Sequence, residues 1–337
     1  MKKRKIAGKE VSPIGMGCMG FSHGYGQIPT RQYSIEAIRS AYAHGCTFFD
    51  TAESYGDVLY HPGHNEEIVG EAVEPFREKI VLATKLHIRD EELNGVYDLY
   101  SLIRSHLDAS LTKLRTSYIN LYYLHRINEK VDNEQVAAVM GQLIEEGLIK
   151  GWGVSAVDVD TIRKMHKITP LSAVQNLYNI MERDCEKEVL PYCLENGIAL
   201  VPFSPIASGF LSGTISKDTQ FEKQDDVRNY VPQLSRENIA KNQPVLDVLS
   251  RFAREKEASM AQISLAWMLK KYPNIIPIPG SKNKERIIEN LEAWNVELND
   301  HEFTELEEAL DQLEIHGHRG IAETEQAGFR KSWKKEE

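Results

Sequence analysis

Thr47-Phe48-Phe49-Asp50, Ile80-Val81-Leu82-Ala83-Thr84-Lys85 and Leu121-Tyr122-Tyr123-Leu124-His125 are short apolar runs, each ending on a residue that can carry charge. Such runs, rich in β-branched and aromatic side chains, read as strands buried on both faces, the habit of a parallel sheet. Similar runs recur at residues 149–155, 171–175, 198–203 and 275–279, with an opening strand near 14–19. Between them the apolar spacing becomes helical. Residues 34–44 place Ile35, Ile38, Ala41 and Tyr42 on one face, with Ser34 in the N-cap place and Gly45 as the stop. Further helices are expected over 66–73, 102–114, 134–146, 159–167, 186–195, 245–257, 260–270 and 284–293. Strand and helix thus alternate in about eight units, the count and order that closes a (β/α)8 TIM barrel. An open doubly wound α/β sheet is the competing architecture.

No Pro/Gly/Ser-rich linker, low-complexity tract or repeat interrupts the chain, so 1–337 is expected to be a single domain. A C-terminal helix and long loops at the C-terminal face of the barrel complete the expected fold. The longest irregular stretch, 204–242, follows a strand end, where barrel enzymes build their sites, and reads as a lid over a ligand.

Composition narrows the partners. The 337 residues are 42% hydrophobic and 27% charged, with a net charge of −10 and no long basic block, which argues against nucleic acid or an anionic membrane as partner. The basic start Lys2-Lys3-Arg4-Lys5 is followed by Gly8, Lys9, Glu10 and Ser12 where a signal peptide needs an apolar stretch, and no run is long enough to span a bilayer. A cytoplasmic, soluble protein is expected. Cys18, Cys46, Cys185 and Cys193 show no metal-ligand spacing and are expected to be buried free thiols.

Gly15-Met16-Gly17-Cys18-Met19-Gly20 satisfies G-x-G-x-x-G, with Glu36 near the offset of a ribose-binding acid. That fingerprint needs a strand before it and a helix after it. Pro13 interrupts the lead-in, and Gly24, Gly26 and Pro29 spoil the helix, so the dinucleotide-fold reading is rejected.

Charged ends on buried strands are costly unless function or pairing repays them. Alone, Asp50 reads as a cap, Lys85 as a solvated strand end, His125 as a satisfied core histidine and Tyr55 as loop packing. In a barrel, the ends of neighbouring strands converge on one mouth, which favours a shared site.

These residues lie in segments that resemble the aldo-keto reductase family: Phe49-Asp50-Thr51-Ala52-Glu53-Ser54-Tyr55-Gly56, Asn65-Glu66-Glu67-Ile68-Val69-Gly70, Ala83-Thr84-Lys85 and Leu121-Tyr122-Tyr123-Leu124-His125-Arg126. The likeness continues through Gly151-Trp152-Gly153-Val154-Ser155, Gln175-Asn176-Leu177-Tyr178-Asn179, Pro202-Phe203-Ser204-Pro205 and Ile278-Pro279-Gly280-Ser281-Lys282. It implies an oxidoreductase moving hydride between NADP(H) and an aldehyde or ketone carbonyl, or the corresponding alcohol. Its catalytic set would be Asp50, Tyr55, Lys85 and His125. Tyr55 would be the proton donor, its pKa lowered by the Lys85 ammonium. Asp50 would hold that ammonium, and His125 would orient the carbonyl oxygen.

The resemblance further implies that Ser155 and Gln175 hold the nicotinamide carboxamide and that Phe203 stacks on the ring, with Ser204 and Pro205 alongside. Gly280, Ser281, Lys282, Arg286, Glu289 and Asn290 would hold the adenosine end. Two cations at Lys282 and Arg286 suit a 2′-phosphate, so NADP(H) is expected over NAD(H). Phe21 and Tyr25, with His23 and Gly26 in the same loop, are expected to line a pocket for a hydrophobic or aromatic substrate.

Several positions depart from the family. Phe203 replaces the commoner tyrosine, Ala156 an asparagine and Asn128 an aspartate, and the tail around 315–319 follows the family loosely. Two other functions compete. A metal-dependent hydrolase would need His61, His64, His87 and His125 to gather with Asp50, yet no H-x-H or H-E-x-x-H spacing supports it. An NADPH-binding, redox-sensing accessory protein with little turnover is the other, and the complete tetrad argues against pure binding.

Overall fold

Residues 3–94 and 98–320 are described by the structure, a computed structural model. Strands β1 (Arg4–Ile6) and β2 (Lys9–Val11) form an antiparallel hairpin. The seven strands β3 (Met16–Gly17), β4 (Phe48–Asp50), β5 (Val81–Leu86), β6 (Leu121–Leu124), β7 (Trp152–Ser155), β8 (Ala173–Gln175) and β9 (Ala199–Leu200) then pair in chain order as one parallel sheet. Between successive strands of this sheet run α1 (Arg31–Ala43), α2 (His64–Val73), α3 (Leu99–Lys113), α4 (Asn133–Glu145), α5 (Val159–Ile168) and α6 (Val189–Glu195).

The segment 274–280 closes the sheet into a barrel. On one edge Leu200 N donates to Asn274 O (3.0 Å), Ile276 N to Leu200 O (2.8 Å) and Ile278 N to Pro202 O (3.2 Å). On the other, Gly15 N donates to Pro277 O (2.9 Å) and Gly17 N to Pro279 O (3.3 Å). This eighth strand is ragged for a reason written in its sequence: Pro277 and Pro279 have no N–H to return to β3, so that seam is bonded in one direction only.

Two glycines of the rejected fingerprint, Gly15 and Gly17, allow close packing at this seam. A Cβ on Gly15 would lie 2.5 Å from the Phe48 ring, and one on Gly17 would lie 2.9 Å from the Ile278 carbonyl oxygen. After them comes a single 3-10 turn at Met19–Phe21, not a phosphate-binding helix.

Alternation along each strand divides two cores. Phe49, Leu82 and Tyr122 face the helices, whereas Phe48, Val81, Ala83, Leu121, Tyr123, Ala173, Ile276 and Ile278 fill the barrel interior. Ile6 and Val11 belong to the interior cluster, so the hairpin plugs the N-terminal end of the barrel. The sequence reading missed this plug; Ala7 (φ 47°) and Gly8 (φ 73°) form the tight left-handed turn it needs.

The first helix begins earlier than expected. Thr30, not Ser34, is its N-cap, accepting from Tyr33 N at 3.3 Å, while Ser34 is buried one turn inside. After β9 come α7 (Arg236–Lys241), α8 (Gln243–Glu255) and α9 (Met260–Lys271); α10 (Lys284–Glu292) and α11 (Asp300–Asp311) follow the closing strand. The stretch read as irregular contains α7 and three 3-10 turns, Ala207–Ser212, Val227–Tyr230 and Pro232–Leu234. It clasps the first loop: Gly24 N donates to Asp225 Oδ2 (2.9 Å), Gly26 N to Asp225 O (2.8 Å) and Gln27 N to Glu222 Oε2 (2.8 Å). Among the described residues no helix is long and apolar enough to cross a membrane.

Glu66 on α2 is completely enclosed between sheet and helices, where Thr84 Oγ1 donates to it at 2.6 Å. Burial pushes its carboxyl up to about 7. The folded state therefore holds a proton that the unfolded chain releases near ~4.3, so this contribution is complete below that value and lost as pH rises through about 7. The difference amounts to roughly 3 kcal/mol. Glu66→Gln, which keeps the acceptor and removes the charge, is expected to unfold at markedly higher urea than wild type at pH 8.5 but nearly with it at pH 5. A pH-independent gap would show that Glu66 does not titrate in this window.

Candidate active site

Asp50, Lys85 and His125 continue the inward-facing rows of β4, β5 and β6, each two residues beyond an interior core residue: Phe48, Ala83 and Tyr123. Period-two alternation therefore aims all three into the C-terminal mouth of the barrel. Lys85 is fully buried and its three N–H donors are all used. They go to Asp50 Oδ1, to Thr51 O at 2.7 Å and to the Tyr55 hydroxyl at 3.0 Å. Gln175 Nε2 donates to the other Asp50 oxygen at 2.8 Å. The Tyr55 and His125 rings meet edge to face with centroids 5.6 Å apart.

The loop carrying Tyr55 is pinned on both flanks. Thr51 Oγ1 donates to Asn65 Oδ1 (2.6 Å), and Asn65 Nδ2 donates to Cys18 O (3.0 Å) and Ser22 Oγ (2.8 Å). Glu53 accepts from His87 N (2.6 Å) and pairs with His106 Nδ1 (2.9 Å), while Asp57 pairs with Arg89. These ties from the Asn65 and Glu53 segments hold the loop that carries Tyr55.

Burial dominates the titration of the site. It pushes Tyr55 above its usual range, aided by Asp50, and Lys85 only partly opposes it. Lys85 lowers it, as expected, but desolvation of the phenolate outweighs the cation. Burial alone would lower the Lys85 ammonium, but Asp50 and Tyr55 outweigh it and hold Lys85 above its ordinary value. Burial also raises Asp50, against Lys85 and Gln175. His125 lies well below the usual histidine range through burial and the cationic side of Arg126 and Lys85, so it is neutral at physiological pH. Ser54 Oγ sits 3.3 Å from His125 Nδ1, a contact that sequence reasoning missed because nothing in the pattern marks Ser54 as facing the histidine.

Ser155 and Gln175 are register partners at the adjoining ends of β7 and β8. Ser155 Oγ accepts from Arg126 Nη1 at 3.2 Å, and Gln175 is engaged with Asp50. Phe203 is half-buried at the end of the next strand, followed by Ser204 and Pro205. Gly280 bridges Gly17 at the closing seam, and Ser281 Oγ accepts from Asn283 N at the entrance to α10. Lys282 Nζ donates to Tyr25 O (2.7 Å) and Gln27 O (2.6 Å), tying the first loop to this entrance. Arg286 is exposed on the first turn of α10, Glu289 is half-buried and Asn290 is buried on the same helix. Phe21 is completely buried in the core; the first-loop ring that stands beside Tyr55 is His23, with centroids 5.5 Å apart, and Tyr25 is half-buried with Arg228 over its ring. His61 and His64 are bound to Glu67 and Ser22 respectively, and among the described residues no three His, Cys, Asp or Glu side chains gather as metal ligands.

Ala156 holds φ at 54°, a left-handed backbone that costs a non-glycine residue about 1–2 kcal/mol and that asparagine tolerates better. Ala156→Asn is expected to raise stability by roughly 1 kcal/mol, read as a higher denaturant midpoint at unchanged slope. A lowered midpoint would mean that the buried amide lacks partners here.

The closed parallel α/β barrel thus gathers Asp50, Tyr55, Lys85 and His125 in its C-terminal mouth. The chain belongs to the aldo/keto reductase family, whose model matches residues 13–311, and is therefore an oxidoreductase. It is 35% identical over 318 residues to the probable aldo-keto reductase 1 of Glycine max, covering 93% of this chain and 89% of that protein. Its fold is similar to the glycerol dehydrogenase AKR11B4 from Gluconobacter oxydans (TM-score 0.80, 26% identity, 92% of this chain and 95% of the other). It is also similar to an aldo/keto reductase from Klebsiella pneumoniae solved with NADP and acetate (TM-score 0.72, 24% identity, 95% and 99% covered).

Proposed function

We propose that this protein is an NADP(H)-dependent carbonyl reductase in which Tyr55 is the general acid. One observation carries the reading: the Tyr55 hydroxyl is bonded to a fully buried ammonium that Asp50 holds in place, beside a histidine that is neutral. A neutral imidazole keeps one N–H that can donate a hydrogen bond but is a far weaker acid than a phenol, which leaves Tyr55 as the acid and His125 as a hydrogen-bond donor that orients the carbonyl oxygen. Lys85 stabilises the phenolate left after transfer, and its raised pKa keeps it charged while it does so.

The donor set suits a nicotinamide dinucleotide. Ser155 and Gln175 place a hydroxyl and an amide side by side, Phe203 offers an aromatic face, and α10 presents a capped N-terminus with Ser281, Lys282 and Arg286 around it. When bound, the nicotinamide supplies the hydride. The Klebsiella relative was solved with NADP, in line with this choice. The stretch after Phe203, clasped to the first loop, would act as the lid. An intact tetrad favours turnover over the accessory, sensing role.

The test is NADPH oxidation by the purified protein over aromatic and aliphatic aldehydes, ketones and dicarbonyls, with NADH alongside. Carbonyl-dependent oxidation with a preference for NADPH is expected. Tight binding without turnover would favour the sensor, and no binding would remove the cofactor assignment.

A further inference from the structure

Arg319 lies beyond α11 in the last described segment, yet it is only 6% exposed. Its backbone N–H donates to Glu182 Oε1, which also accepts from Gln233 Nε2 at 3.0 Å, and Gln233 N donates to His318 O at 3.2 Å. The segment is thus clamped between the loop after β8 and the turn at Pro232–Leu234. The guanidinium reaches the turn after β9, where Nε donates to Ser204 Oγ at 3.3 Å. Nη1 is buried with no hydrogen-bond partner, and no carboxylate among the described residues lies within ion-pair distance of the group.

A buried guanidinium without a counter-charge is expensive, and the fold could have used methionine there at no such cost. The turn it touches carries a second orphan: Ser208 is 7% exposed and its hydroxyl is buried without a partner. A cation and a hydroxyl left unsatisfied around one turn are matched by an anion with several acceptor oxygens.

We propose that Arg319 is a phosphate-binding residue that holds the pyrophosphate of the bound dinucleotide from the C-terminal segment, across the turn begun by Ser204. The assignment rests on the cofactor reading above and adds a residue to it. Phe203, expected against the nicotinamide, immediately precedes Ser204, and in a dinucleotide the pyrophosphate lies one ribose away from that ring. The guanidinium thus serves a different part of the cofactor from Lys282 and Arg286 at the adenosine end. Binding would neutralise the buried charge and tie the C-terminal segment to the loaded state.

Arg319→Met and Arg319→Lys are compared with wild type for the Kd of NADPH and of NADH, read by quenching of tryptophan fluorescence, and for the melting temperature without cofactor. Loss of a charge-assisted contact weakens binding by roughly 10- to 100-fold. Arg319→Met is expected to weaken both dinucleotides by the same factor, since the pyrophosphate is common to them, with Arg319→Lys in between. Its melting temperature without cofactor should be unchanged or higher, because an unpaired buried charge has been removed. Unchanged Kd values in variants that remain folded would overturn the proposal. So would an effect confined to a benzaldehyde bearing a para carboxylate, whose KM rises while that of the para-nitro analogue does not, since the anion would then be a substrate carboxylate. A wild-type protein that binds neither dinucleotide would instead remove the cofactor reading, and this assignment with it.

Discussion

Tyr55→Phe is expected to lower kcat for carbonyl reduction by roughly 10²- to 10⁴-fold, the range for loss of a positioned acid, while the Kd for NADPH stays within about twofold. The phenyl ring fills the same volume and keeps its edge-to-face contact with His125, so the loss is confined to one hydroxyl. That hydroxyl accepts the hydrogen bond from Lys85, whose ammonium also lies 4.8 Å from the ring centroid, and the substitution leaves the ammonium with the ring, Asp50 and the Thr51 carbonyl. Charge balance in the buried pair is therefore preserved, and the melting temperature should barely move.

The pH profile separates Tyr55 from the histidine. Because burial holds Tyr55 above its usual range, wild-type reduction should stay level through neutral pH and fall only in strongly alkaline solution, as the acid loses its proton. If His125 were the acid, its strongly depressed titration would make the rate fall with rising pH well below neutrality. Turnover in Tyr55→Phe equal to wild type would sink the assignment.

The convergence of Asp50, Lys85 and His125 was legible because all three end apolar runs, and period-two alternation carries the inward face of each run into the mouth. Boundaries were less so. The eighth strand reads as a strand from Ile275, Ile276 and Ile278, but it forms isolated bridges to its neighbours, and its prolines leave no N–H to donate on the β3 side. The hairpin at the barrel floor escaped because three-residue strands are too short to show a period. Charges in contact were harder still. The sequence suggests that Lys85 acidifies Tyr55, but the direction depends on how deeply the phenol is buried, which no local pattern encodes. Arg319 contacts Ser204 across 115 residues, with no spacing to announce it. Asn128, a departure from the family, is explained only in three dimensions: its Nδ2 donates to Asp90 Oδ1 at 3.0 Å, where an aspartate would meet like charge.

Lys85→Met should be the most destabilising substitution in the site and should also abolish activity. Methionine matches the lysine stem, so little volume is lost, but Asp50 is left buried with Gln175 as its remaining side-chain donor. Breaking a buried pair by removing one partner typically costs about 3–5 kcal/mol. Lys85 is what pulls the Asp50 carboxyl down against burial, so without it that carboxyl titrates further above its unfolded value near ~3.9. The folded variant then takes up a proton that the unfolded chain releases. Its stability is greatest below the unfolded value and falls as pH rises through the folded one, so the deficit against wild type should be larger at pH 8 than at pH 5. Urea unfolding at the two pH values reads this directly, and an equal deficit at both would mean that Asp50 does not carry the charge. The double variant Asp50→Asn/Lys85→Met removes both charges together and should recover most of the lost stability, since neither partner is then stranded. It should recover none of the activity, because Tyr55 still lacks the cation that stabilises its phenolate. A double variant as unstable as Lys85→Met would place the cost in packing, and one that regained turnover would remove Lys85 from the chemistry.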